Sequence, residues 1–321
     1  DSVAGLLGGD EAGMCELNPV SVLSDRSRAA TITLWRNDGA GRFGDVTKEL
    51  GLDVAGVAGF TPVFADLDDD GWPDLLVTGD FCTSRLYRNE GGTGFVDVTD
   101  EASVGSAENA MGSVVEDLDG DGQLDWFVTS ISGGHYDVGC LRELALVGCS
   151  GNRLFRGSSG FGFVDATDDW GVRESGWGWG ALAEDLNNDG HRELLTVEGQ
   201  DFGGPEGADP TASRGSDPLS QALEYFASGS VRLWRGGPTQ PLDEVSKSAG
   251  FTTNGLLKAV VAFDHDDDGD LDLVVTDTGS PPRFYRNETP EQGHWLHLTL
   301  GDDTTPNTHA IGARVRLLDQ A

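Results

Sequence analysis

Short apolar runs separated by acidic, glycine-rich turns set the rhythm of this chain. Thr61-Pro62-Val63-Phe64-Ala65 and Leu75-Leu76-Val77-Thr78 flank one such turn. Trp126-Phe127-Val128-Thr129, Leu194-Leu195-Thr196-Val197 and Leu273-Val274-Val275-Thr276 follow three others. Runs of this length, rich in Val, Leu, Thr and aromatics and bounded by Gly/Asp clusters, read as β-strands. A second run alternates with the first. It pairs a Leu or Phe with an aromatic and an Arg: Leu34-Trp35-Arg36, Leu86-Tyr87-Arg88, Leu154-Phe155-Arg156, Leu233-Trp234-Arg235 and Phe284-Tyr285-Arg286. A third follows it as Phe43-Gly44-Asp45-Val46-Thr47, Phe95-Val96-Asp97-Val98-Thr99 and Phe163-Val164-Asp165-Ala166-Thr167.

The spacing turns these runs into a repeat. From Leu34 to Asp66, Leu86 to Asp117, Leu154 to Asp185 and Leu233 to Asp264 the steps are 32, 31, 31 and 31 residues. From each acidic turn to its own aromatic-Arg run the steps are 20, 37, 48 and 20. All length variation therefore sits at one place in a four-strand unit. Four-stranded units of this size predict an all-β propeller. Blades are expected at about residues 1–50, 55–104, 109–172, 177–250 and 255–290. In an up-and-down blade the acidic turns lie on one face. The insertions, about 130–153 and 199–231, project from the other, where function usually concentrates.

The turns themselves carry the chemistry. Asp66-Leu67-Asp68-Asp69-Asp70-Gly71-Trp72-Pro73-Asp74 has three counterparts starting at Asp117, Asp185 and Asp264, all fitting D-x-[DN]-x-D-G-x-x-[DE]. Calcium takes six to eight oxygens at roughly 2.3–2.6 Å. Positions 1, 3 and 5 supply side-chain oxygens that a tight loop can converge: Asp66, Asp68 and Asp70; Asp117, Asp119 and Asp121; Asp185, Asn187 and Asp189; Asp264, Asp266 and Asp268. Position 7 offers a backbone carbonyl, from Trp72, Gln123, His191 and Asp270. Position 9 closes the shell with Asp74, Asp125, Glu193 and Asp272. Glycine at position 6 allows the sharp turn. The loop is not an EF-hand, which needs a bidentate Glu at position 12 and flanking helices. An Asp/Asn/Gly hairpin needs no metal by itself. Four copies with crowded carboxylates would repel strongly without a cation. The third, diluted by Asn187 and Asn188, is expected to bind most weakly.

Charge and cysteines narrow the setting. The 321 residues carry a net charge of −34, and four bound Ca2+ would bring it to −26. So acidic a chain lacks the basic patches that nucleic acid or anionic membranes require. No run is long and apolar enough to span a membrane. Cys140 and Cys149 lie in the first insertion and are expected to pair. Cys15 and Cys82 follow equivalent strands and could pair across blades, the alternative being four reduced thiols. Disulfides and millimolar calcium both point to a secreted, extracellular or periplasmic cell-surface setting. His294 and His297 would face opposite sides of a strand and make a poor metal pair. Gly176-Trp177-Gly178-Trp179-Gly180 is expected to be an inter-blade link with packed indoles. The other reading is an aromatic platform for a sugar or a partner.

These motifs resemble the FG-GAP/VCBS repeat family, which includes integrin α-subunit propellers. The likeness covers about residues 30–290. The nearer resemblance is to the cartilage acidic protein-like group, because residues 291–321, with His294-Trp295-Leu296 and Ala310-Ile311-Gly312-Ala313-Arg314-Val315, look like the start of an ASPIC/UnbV segment. The resemblance implies calcium in the four loops and up to seven blades. Residues 1–10 resemble 74–80, so residue 1 is expected to follow a lost fifth loop in a larger protein. A five-bladed ring closed by both termini is the alternative. The implied function is non-catalytic binding of an extracellular protein, matrix or polysaccharide. Competing readings are a structural subunit of a cell-surface or filamentous assembly and, last, a propeller lyase or hydrolase.

Overall fold

The computed structural model describes residues 32–133, 149–201 and 218–289, with a few single positions up to residue 315. The expectations for residues 1–31, for Cys15 and Cys140, for His294 and His297, and for most of the terminal segment fall outside the described residues. The described chain is an all-β propeller. β1 (Trp35–Asn37) and β2 (Phe43–Asp45) form a two-stranded sheet. β3 (Ala58–Ala65), β4 (Asp74–Asp80), β5 (Arg85–Asn89) and β6 (Phe95–Asp97) form the next sheet, in that order. β7 (Ser113–Glu116), β8 (Asp125–Val128), β9 (Arg153–Gly157) and β10 (Phe163–Asp165) repeat it, as do β11 (Gly178–Glu184), β12 (Glu193–Glu198), β13 (Val231–Arg235) and β14 (Asp243–Glu244). β15 (Leu257–Phe263), β16 (Asp272–Asp277) and β17 (Arg283–Tyr285) form a fourth blade, three-stranded among the described residues.

Register shows that the blades are copies. Tyr87 pairs with Asp97, Phe155 with Asp165 and Trp234 with Glu244. Trp35 pairs with Asp45 in the same way, so β1 and β2 are the third and fourth strands of a preceding unit. Among the described residues two short helices interrupt the β pattern: α1 (Thr167–Trp170), and α2 (Pro218–Ala227) inside the second insertion.

Each acid-x-Thr motif is a local lock. The hydroxyls of Thr47, Thr99, Thr167 and Ser246 accept the N–H of Leu34, Leu86, Leu154 and Leu233 at 2.9, 2.9, 2.9 and 2.7 Å. Each hydroxyl also donates to the acid two residues earlier, Asp45, Asp97, Asp165 or Glu244. The fourth strand is thus fastened to the third through a buried hydroxyl.

Neighbouring blades meet first through their inner strands, β3 with β7, β7 with β11 and β11 with β15. Gly112 explains how closely the backbones approach. A Cβ there would fall 2.2 Å from the Trp179 carbonyl oxygen. Farther out, hydrophobic clusters fill each seam. Trp126 and Phe155, both essentially inaccessible, pack at 5.8 Å between the first two full blades with Phe163, Leu76 and Leu86. Each side chain of this size contributes roughly 1.5–3 kcal/mol by leaving water.

Replacing Thr167 with Val should strand the Leu154 N–H in a buried site. The expected loss is about 1–3 kcal/mol, read as a lower denaturant midpoint at unchanged slope. Thr167→Ser keeps the hydroxyl, as Ser246 does naturally, and should stay within about 0.5 kcal/mol of the parent protein.

Candidate metal centres

Each acidic turn joins the first strand of a blade to the second. Its backbone takes the left-handed conformation twice. Position 6 has φ of 87°, 89°, 90° and 91° at Gly71, Gly122, Gly190 and Gly269. Position 4 has φ of 65°, 76°, 57° and 59° at Asp69, Gly120, Asn188 and Asp267. Asp, Asn and Gly are the residues that tolerate this region, so the variable-looking position 4 is constrained after all.

This backbone curls the carboxylates inward. Position 1 accepts the N–H of position 6: Asp66 from Gly71, Asp117 from Gly122, Asp185 from Gly190 and Asp264 from Gly269, at 3.1, 3.0, 2.9 and 2.8 Å. Position 5 accepts the N–H of position 7: Asp70 from Trp72, Asp121 from Gln123, Asp189 from His191 and Asp268 from Asp270. Oxygens of Asp66, Asp68 and Asp70 then lie within 4.8 Å of one another. So do oxygens of Asp117, Asp119 and Asp125, and of Asp264, Asp266 and Asp268. Asp185, Asp189 and Glu193 form no such group among the described residues. These all-oxygen sets suit a hard divalent cation. His265 is an exception, because it joins Asp266 and Asp272 in a mixed group within the fourth loop. Loops of adjacent blades share a face: Asn188 Nδ2 donates to the Asp270 carboxylate at 2.8 Å.

Position 9 does something the sequence did not announce. Its carboxylate is buried in every copy and ties two strands together. Asp74 accepts the N–H groups of Leu67 and Asn89 at 3.0 and 2.8 Å. Asp125 accepts those of Leu118 and Gly157 at 2.9 and 2.8 Å. Glu193 takes Leu186 and Gly236, and Asp272 takes His265 and Asn287. One oxygen thus holds the start of the loop and the other holds the end of the third strand.

Burial raises these acids. Asp74 is pushed up to about 6, and Asp125 and Glu193 to about 7, with the other carboxylates of each loop adding to the effect. At Asp272 burial pushes upward too, but the Asn287 N–H and the His265 ring outweigh it and hold the carboxyl below its usual value. Arginines of the third strands lean into two loops. Arg156 reaches Asp119 at 3.2 Å, and Arg286 reaches Asp266 at 2.8 Å. Both guanidinium groups are about half exposed, so each pair supplies only about 0–1 kcal/mol.

At the opposite end of the blades, the two indoles of the Gly-Trp-Gly-Trp-Gly run are packed. Trp177 meets Phe226 of α2 edge-on at 5.4 Å. Trp179 carries the Lys258 ammonium 3.9 Å above its ring and touches Phe60. Cys82 and Cys149 are both disulfide-bonded. The connectivity expected for them involves Cys15 and Cys140, outside the described residues.

Fold and loops together define a propeller whose blades carry acidic interstrand turns. Residues 20–77 and 66–128 match the FG-GAP-like repeat, so this stretch of the chain is similar to that repeat. The loops at Asp185 and Asp264 lie beyond the matched stretch but keep its hydrogen-bond pattern. A comparison with curated proteins found no match.

The raised acids give a pH dependence with a definite sign. Asp74, Asp125 and Glu193 bind protons more tightly folded than unfolded, where such carboxyls titrate near 4. In a chelator, stability should therefore rise as pH falls from about 8 to 4. Asp272 acts in the opposite sense only below that window. Saturating calcium competes with protons for the same loops and should flatten or invert the trend. Melting temperature against pH, with and without EDTA, checks both curves.

Proposed function

We propose that this chain is a calcium-stabilised propeller working as a non-catalytic interaction module outside the cytosol. It would engage a protein or matrix partner through the face that bears the insertions. The observation that carries the metal half is the convergence of three oxygen triads on loops already braced by their own N–H groups. Calcium binding there would require little rearrangement, and it would neutralise carboxylates that otherwise repel. Asp66, Asp68 and Asp70, then Asp117, Asp119 and Asp125, then Asp264, Asp266 and Asp268 would hold the ions.

The partner half rests on topology. Both long insertions leave the blades at the ends remote from the acidic loops. Disulfide-bonded Cys149 stands at the foot of one, and α2, seated on Trp177 through Phe226, anchors the other. Rigid scaffold with elaborated loops is the usual arrangement for recognition. The disulfides favour an oxidising compartment, where calcium is also abundant.

Calcium titration by calorimetry should fill three sites before the fourth. Asn187→Asp should tighten that fourth site by about tenfold, as a ligand oxygen gains full charge. Calcium at about 100 times its dissociation constant adds about 2.7 kcal/mol per site. Excess EDTA should lower the melting temperature by several degrees. Unchanged melting in EDTA would sink the metal reading.

A further inference from the structure

The third-strand motif places an arginine directly after its aromatic: Arg36, Arg88, Arg156, Arg235 and Arg286. Two of them reach an acidic loop, and they reach it in the same way. Arg156 Nε lies 3.2 Å from Asp119 Oδ2, and its Nη2 lies 3.7 Å from Asp121 Oδ2. Arg286 Nη2 lies 2.8 Å from Asp266 Oδ2 and 3.6 Å from Asp268 Oδ2. Both guanidinium groups thus sit on positions 3 and 5 of their own blade's loop. Arg88 is turned elsewhere, held by Glu90 at 2.8 Å and stacked over Phe161 of the next blade at 5.6 Å. Arg235 makes no ion pair among the described residues.

The carboxylates in question divide their oxygens between two partners. Asp119 Oδ1 accepts the Asp121 N–H at 3.1 Å, and Asp121 Oδ1 accepts that of Gln123 at 2.8 Å. Their Oδ2 atoms face the arginine. Asp268 divides in the same way, Oδ1 to the Asp270 N–H at 3.1 Å and Oδ2 to Arg286. The first loop has the same inner brace, since Asp68 and Asp70 Oδ1 take the N–H groups of Asp70 and Trp72 at 3.2 and 2.8 Å. No ion pair reaches its Asp68 or Asp70 among the described residues. A guanidinium has five donors and no lone pair, so it neutralises a loop without ligating anything. A positive charge beside these oxygens also opposes a second cation arriving at them. Its hold is weak, because each guanidinium is about half exposed and spread over two carboxylates.

We propose that Arg156 and Arg286 are tethered counter-ions that compete with calcium for the second and fourth loops. The inference rests on the calcium reading above and adds its regulation. Without calcium the arginine offsets part of the repulsion among the loop's acids. Calcium brings twice the charge and gathers up to about eight oxygens, so it displaces the guanidinium toward solvent. Linkage makes the exchange reciprocal: what the arginine contributes to the loop in a chelator, it subtracts from the affinity for calcium. The loops are thereby graded. The first, with no arginine on it, fills ahead of the second and fourth, and its blade has no substitute when calcium is withdrawn.

Calcium titration by calorimetry compares the Arg156→Gln, Arg286→Gln double variant with the parent protein. Two sites should tighten about three- to fivefold, the change that pairs of this exposure allow. In EDTA the sign should reverse, and the double variant should melt about 1–3 °C below the parent. Arg88→Gln is the control, because it removes the same charge from a guanidinium that Glu90 holds away from its loop. It should leave calcium affinity unchanged. Phenylglyoxal labelling, mapped by mass spectrometry, should rise at Arg156 and Arg286 when calcium is added and stay constant at Arg88. Weaker calcium binding in the double variant would make the arginines positioning groups and overturns the proposal. An equal gain in Arg88→Gln traces the effect to net charge and overturns it too. Calcium uptake indifferent to all three arginines sinks this inference alone. A parent protein that takes up no calcium sinks the calcium reading, and the inference goes with it.

Discussion

One buried carboxylate per blade holds this architecture together. Position 9 of the acidic loop begins the second strand, and it is the point where the first three strands are tied. One oxygen takes the N–H at the start of the loop, the other the N–H at the end of the third strand, as at Asp125 with Leu118 and Gly157. Backbone groups in such a place cannot reach water, and an unmade bond there costs about 1–3 kcal/mol. An apolar residue would fill the space but orphan both donors. An amide offers only one acceptor oxygen. An acid satisfies both, at the cost of burying a charge beside three or more others. The proposed cation would offset that cost, because positive charge at the mouth of the loop would stabilise the ionised form that makes both bonds.

Once each blade is fixed, neighbouring units are joined by insertion. The fourth strand of one blade sends a plug (Phe95, Phe163 or Leu242) into the seam behind it, and its N–H reaches the carbonyl three residues past the Thr of the preceding acid-x-Thr lock. The lock and the plug belong to one short segment. The Thr hydroxyl fastens the strand within its own blade while the plug fastens the blade to its neighbour. The same repeat position is buried at Tyr87, Phe155 and Trp234 but 56% exposed at Trp35, behind which no complete unit stands among the described residues. Burial in this fold is thus set by neighbours along the arc rather than by residue type.

The periodicity made most of this legible. Strand order, the place of the acidic loops and the site of the insertions follow from spacing, because a meander leaves few ways to join four strands. What stayed hidden was hydrogen-bond partnership over distance. Nothing in the local sequence marks Asp74 as a partner of the Asn89 N–H fifteen residues on. Position 4 looked variable until its positive φ showed that Asp69, Gly120, Asn188 and Asp267 answer one backbone demand. α2 escaped an all-β reading because a single helix inside a loop leaves the repeat untouched. The lean of Arg156 and Arg286 toward acidic loops was likewise invisible, since the matching Arg36 and Arg88 pair with Glu49 and Glu90 instead.

The fourth loop shows how far a repeat can drift while keeping its brace. Position 2 is Leu67, Leu118 and Leu186 in three copies, each packed into a seam. In the fourth it is His265, whose ring meets Asp272 and lies 4.9 Å from Phe284. The imidazole takes the place of that leucine and adds a polar contact. It packs against Phe284 of the third strand, and it supplies a hydrogen bond to the buried acid. That explains why Asp272 alone among the four braces stays below the ordinary carboxylate range while the others rise. A polar contact from within the loop thus stands where the other three copies pack a leucine into a seam.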